Sequence, residues 1–208
     1  MYYMNGKMHG VQKGYYESGA LQYEMPFVNG KEHGLEKEYY RSGITSSEIH
    51  FVNGSMHGIT REYHESGKLR QEVPYENDKR HGIQKYYYRS GALQYETPFV
   101  NGKERSVYTE YYKSGIIEWE IPFGANDEIH GIKKHYYASG VLHWEEPYVD
   151  GKEHGIKKNY YESGVLRQEI TYVDGIMHGI TKEYNESGIL ASESKYKNGQ
   201  NIEEIANG

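Results

Sequence analysis

The chain contains no cysteine, five prolines, four phenylalanines and two tryptophans in 208 residues. The missing cysteines exclude disulfides, thiolate nucleophiles and cysteine-ligated zinc, and they suit a reducing compartment. Only 36% of the residues are apolar and mean hydropathy is −0.93, so a conventional deep core is not expected. No window approaches the roughly 18 apolar residues of a membrane helix. The opening stretch MYYMNGKMHG has no apolar h-region, so the expected location is the cytoplasm. The formal net charge of −6 is spread over interspersed acids and bases, with no basic stripe, so direct nucleic-acid binding is not expected. A phosphate-loop GxxxxGK is absent, as is any Ser-His-Asp order, and the chain reads as a non-enzyme without a cofactor.

What the sequence has in abundance is tyrosine, 24 copies, and glycine, 25. Burial must therefore come largely from rings that can keep a hydroxyl in water. Ser-Gly recurs at Ser18, Ser42, Ser66, Ser90, Ser114, Ser139, Ser163 and Ser187, a period of 24 with a single 25. Repeats start near residues 5, 29, 53, 77, 101, 126, 150 and 174, and residues 1–4 and 198–208 read as partial capping repeats of a single repeat domain spanning 1–208.

Within the first repeat, Leu21, Tyr23, Met25 and Phe27 alternate with polar residues, the period of a strand with one apolar face. Both bounding turns place glycine where a positive φ is wanted. Three-residue loops at Glu17-Ser18-Gly19 and at Val28-Asn29-Gly30 would set Tyr15 opposite Leu21, Val11 opposite Met25 and Tyr23 opposite Leu35. The expected fold is all-β: an antiparallel hairpin meander in one elongated twisted sheet of eight repeats. In this register the Tyr15 and Phe27 columns pack on the apolar face, and the Glu24 column lies on the other, near lysines.

The consensus G-x-x-K-x-Y-Y-x-S-G-x-L-x-x-E-x-P-[FY]-V-N-G-K-x-H-G, seen from Gly10 to Gly34 and from Gly155 to Gly179, resembles the MORN repeat. The resemblance is to the variant found in bacterial toxin–antitoxin antitoxin proteins, and it covers essentially the whole chain. It implies a binding scaffold, for proteins or, in the broader group, for phospholipids, with no catalytic residues. The partner expected from it is another protein, a toxin or effector enzyme. The alternatives are an inhibitor of a nucleic-acid-processing effector encoded by a phage or mobile element, a lipid-headgroup module disfavoured by the net charge, and a homo-oligomer joined through the apolar sheet face.

The His-Gly column, from His9 to His178, invites a metal reading. Equivalent positions two strands apart sit about 10 Å from each other, whereas a metal needs nitrogens ~2 Å from one ion, so a side-chain bond at the turn is the better role. His135 and His143 escape this objection, since they are expected opposite each other on the polar face with Glu118 diagonal. They form a weak metal candidate lacking a fourth ligand.

Departures from the repeat gather in repeats five and six. Arg105-Ser106 replaces His-Gly, one residue is inserted near Ala125, and Trp119 and Trp144 take the place held by Tyr23 and Tyr95. Tyr95, Arg105, Tyr108, Trp119 and Trp144 are the candidate partner-binding residues, because Trp, Tyr and Arg are enriched at binding hot spots. The plainer reading is drift within an array that has ordinary packing aromatics.

Overall fold

A computed structural model describes residues 2–104 and 106–206. It divides into two compact halves, Met1–Glu104 and Arg105–Gly208. Each half is an open antiparallel hairpin meander, and no helix occurs among the described residues. The expected all-β fold is therefore what the chain adopts.

The Ser-Gly loops are built as the sequence suggests. In the first repeat, Tyr16 and Ala20 close a three-residue loop through Tyr16 N–H donating to Ala20 O at 2.9 Å, and Gly19 N–H donates back to Tyr16 O at 2.8 Å. Gly19 has φ +82°, a value that strains any residue with a Cβ. Tyr15 faces Leu21 as expected.

The next step departs from expectation. Gly14 pairs with Tyr23, so Gln22 is an extra, bulged residue and every later pair shifts by one. Val11 opposes Pro26 rather than Met25, and Gln12 takes Met25. The same shift recurs in every fully described hairpin, between Glu38 and Tyr39 and between His135 and Tyr136 for example. Because side chains alternate, a one-residue shift exchanges faces. The Tyr15 column consequently lies with Lys13 and Glu24, not with Tyr23, Met25 and Phe27.

The Asn-Gly connections are also tighter than expected. Val28 pairs directly with Lys31, leaving only Asn29 (φ +54°) and Gly30 (φ +81°) in the turn, the two positive φ values of a type I′ hairpin. Two additional residues, His33 and Gly34, then bulge from the following strand, and Tyr23 pairs with Glu38 instead of Leu35. Gly34 has φ +114°, and a Cβ there would meet Pro26 Cγ at 3.3 Å; at Gly155 the equivalent contact with Pro147 would be 2.9 Å. The same Pro-Gly approach recurs at Gly82 with Pro74 and at Gly131 with Pro122, whereas Gly58 meets His50 and Gly179 meets Thr171.

The inserted residue near Ala125 is accommodated in the turn. Gly124 N–H donates to Glu128 O at 2.8 Å across Ala125-Asn126-Asp127, a three-residue loop with Asp127 at φ +64°. Strand faces on either side stay aligned, as the sequence suggests. Among the described residues only Val73 and Phe99 are buried apolar side chains, so each half is a sheet without a deep core.

Candidate functional site

The register sorts the repeat into two chemically different faces. One carries nearly invariant columns. Lys13 pairs with Glu24, Lys37 with Glu48, Arg61 with Glu72 and Lys158 with Glu145. The Tyr15 column crosses from one repeat to the carboxylate of the one before: Tyr39 to Glu24 (3.0 Å), Tyr63 to Glu48 (2.9 Å), Tyr136 to Glu120 (2.6 Å), Tyr160 to Glu145 (3.0 Å). These phenols donate, and the charged acceptor makes the bonds strong ones of their kind. The Lys13 ammonium and the Tyr39 hydroxyl hold the Glu24 carboxyl below its ordinary range. Burial and the bonded carboxylates push the Tyr87 and Tyr160 phenols up to about 12. On the same face, toward the Asn-Gly turns, rows of aliphatic residues stay exposed: Val11 and Val28 in the first half, Ile156 and Val149 in the second.

The opposite face holds the columns that change from repeat to repeat, those of Gln12, Gly14, Gln22, Tyr23 and Met25. A second tyrosine column stitches it to its neighbours, since Tyr16 donates to Tyr39 O at 2.6 Å, Tyr112 to Tyr136 O at 2.6 Å and Tyr137 to Tyr160 O at 2.9 Å. Buried polar residues concentrate here: Glu36, Ser47, Thr97, Glu146 and Thr181. Burial, with Glu38 and Glu32 nearby, raises the Glu36 carboxyl above its usual range.

In the second half this varied face gathers aromatic rings. Trp119 and Trp144 both pair with His135, so the three residues form one row across adjacent strands. The two indoles meet edge to face at 5.4 Å between centroids, and His135 lies 4.3 Å from Trp119. Lys133 stands over both indoles at 5.2 and 5.7 Å, and Lys157 over Trp144 at 5.0 Å while it also pairs with Glu146 at 2.8 Å. Tyr108 shares this face by register, with its hydroxyl donating to Glu110 at 3.2 Å. Tyr95 belongs to the first half, where it stacks on Tyr86 at 4.8 Å. Arg105 lies outside the described residues.

The histidine pair is real but differently placed. His135 opposes Trp144, and His143 is the bulged residue of its hairpin, so the pair lies on the tryptophan face rather than the lysine-glutamate face. Their Nδ1 atoms are 2.9 Å apart, and the ring of His143 stacks on Tyr137 at 4.2 Å. Burial lowers both imidazole pKa values, with the pair's mutual proximity adding to His135 and Arg167 and Lys157 adding to His143. A hydrogen bond between two Nδ1 atoms needs one ring to donate and the other to accept, so at least one is neutral. Glu118 is itself the bulged residue of the preceding hairpin, where its charge raises the Tyr112 phenol alongside burial. Among the described residues no three His, Asp or Glu side chains converge as a metal site.

His9, His33, His130 and His154 of the His-Gly column bind the turn of the following repeat, whereas His81 faces Glu76. His9 Nε2 lies 3.1 Å from Asn29 Oδ1, and His154 Nδ1 lies 3.3 Å from Asp174 Oδ1. They are structural clasps, as their spacing suggests. The family model for the MORN repeat variant matches residues 8–29, 32–53, 56–77, 80–101, 129–150, 153–174 and 177–198. The chain belongs to the MORN repeat variant family. Comparison with curated proteins finds no match. MORN repeats support a protein-binding or membrane-associated scaffold. Residues 102–128, which carry the Arg105-Ser106 replacement and the longer turn, fall outside the matched MORN segments.

Sequence reasoning missed the separation of constant and varied columns onto opposite faces. The signal was available in part: positions 12, 14, 22, 23 and 25 vary from repeat to repeat, while the Lys13, Tyr15 and Glu24 columns hardly change.

Proposed function

We propose that this chain is a non-enzymatic protein-binding scaffold that engages and inhibits a partner protein through the varied face of its second half. The observation that carries this is the Trp119–His135–Trp144 row, capped by Lys133 and Lys157. Two partly exposed indoles side by side supply rigid contact area at little entropic cost, and tryptophan is the residue type most enriched in binding hot spots. The inhibitory, antitoxin-like form of the activity rests on the sequence resemblance and on the net charge of −6. An acidic scaffold suits a partner with a basic channel, such as a nucleic-acid-processing effector. The setting proposed is the cytoplasm.

A stoichiometric protein partner should co-purify with the wild-type chain and be lost from the Trp119→Ala plus Trp144→Ala variant at unchanged thermal midpoint. Full retention of the partner by that variant would rule this surface out. A second reading, attachment to a membrane surface, draws on the exposed Val11, Val28, Val149 and Ile156 rows of the other face. Flotation with anionic liposomes tests it, and absence of binding at low salt removes it.

A further inference from the structure

His64 interrupts the second tyrosine column. At the equivalent place Tyr16, Tyr40, Tyr112, Tyr137 and Tyr161 each donate a hydroxyl to a carbonyl of the next repeat. An imidazole is shorter than a phenol and makes no such bond here. His64 Nε2 is instead buried with no hydrogen-bond partner, the one such side-chain atom among the described residues. Buried polar atoms are almost always paired, so the orphan sets His64 apart from the other members of its column.

A cavity of about 360 Å³ opens at this interruption, lined by Tyr40, His64, Glu65, Ser66, Arg70 and Arg89. The comparison with Asn185 is instructive, because it too shortens the column and opens a cavity of about 290 Å³ beside Tyr161 and Arg167. There the amide oxygen is satisfied locally, accepting from Ser187 N–H and Ile189 N–H at 3.0 Å each. That cavity has a single arginine and no orphan. At His64 the lining includes two arginines, Arg70 and Arg89. Arg70 is held only loosely, at 3.6 Å from Glu62, and Arg89 is exposed.

We infer that the His64 cavity is a binding site for a small carboxylate ligand. Two guanidinium groups offer planar donor forks that match a carboxylate, and Ser66, Glu65 and the His64 ring complete the lining. A small dicarboxylate such as malonate can present one planar carboxylate to each fork, which a single tetrahedral phosphate cannot do.

Calorimetric titration of the full chain with malonate tests this at low ionic strength, with inorganic phosphate as the comparison. Saturable malonate binding, tighter than phosphate, is the expected result. His64→Tyr restores the missing phenol; it should abolish malonate binding while raising the denaturation midpoint, a pair of effects that a purely structural histidine would not produce. Arg89→Gln, on an exposed loop, should keep the wild-type midpoint and weaken binding by roughly tenfold, the loss expected for a charge-assisted hydrogen bond. Absence of saturable malonate binding, phosphate binding as tight or tighter, or unchanged affinity in Arg89→Gln would each overturn the assignment.

Discussion

The two faces of the MORN hairpins obey different rules. On one, Lys13, Tyr15, Glu24 and their equivalents repeat almost without change and satisfy one another, each phenol reaching the carboxylate of the preceding repeat. On the other, the columns of Gln12, Gly14, Gln22 and Tyr23 run through glycine, acids, amides, histidine and tryptophan. Stacking a repeat on its neighbour requires the same contacts every time, so the face that builds the array cannot vary. The face left over can, and repeat proteins use such a surface for recognition.

Breaking the constant features should cost most. Gly155→Ala forces a Cβ to within 2.9 Å of Pro147 Cγ at φ +117°, so it should destabilise the second half by about 1–3 kcal/mol, read as a lower urea midpoint. Tyr160→Phe removes one charge-assisted bond to Glu145 and should cost about 1 kcal/mol, with little effect on partner capture.

Alkali attacks the same ladder collectively. A phenol whose pKa is raised in the folded state contributes stability that is fully present below its unfolded value near 10 and lost as pH rises through the folded value. With Tyr87 and Tyr160 raised to about 12, the thermal midpoint should fall between about pH 10 and 12, following phenolate absorbance. A midpoint that is flat across this window would contradict the ladder's role.

Acid sharpens the comparison on the varied face, with a smaller effect. His135 and His143 have lowered folded-state pKa values, so their contribution is present above the unfolded value near 6.5 and lost as pH falls below it. Tryptophan fluorescence, which reports only the second half, should change below about pH 6.5 while the far-ultraviolet spectrum holds. His135→Phe should remove that transition.

Much of this organisation is legible in the sequence. The period, the Ser-Gly loops and the strand character follow from spacing and turn chemistry. The faces did not follow, because they depend on a bulge at Gln22, and the residues found at that position (Gln22, Ser46, Arg70, Glu118, His143) share no property that marks one. A one-residue shift then carries every column across the sheet. The Asn-Gly turn was readable as a two-residue type I′ connection, since Asn and Gly are the pair that turn demands. What hid it was the bulge at Gln22: a one-residue change at each of the two connections cancels over a repeat, while the two extra residues at His33-Gly34 leave parity unchanged. The tryptophan pair was legible as a departure. Its company, His135 between the indoles and Lys133 above them, required the true register.

The most direct test of the division between building and recognition faces is a two-by-two comparison of captured partner and denaturation midpoint. The varied-face change is Trp119→Ala plus Trp144→Ala, and the constant-face change is Tyr136→Phe plus Tyr160→Phe. The tryptophan variant should lose the partner, by at least about 2 kcal/mol or roughly 30-fold, at an unchanged midpoint. The tyrosine variant should keep the partner at a lowered midpoint. Loss of the partner from the tyrosine variant under conditions where it is folded, with retention by the tryptophan variant, would contradict the account.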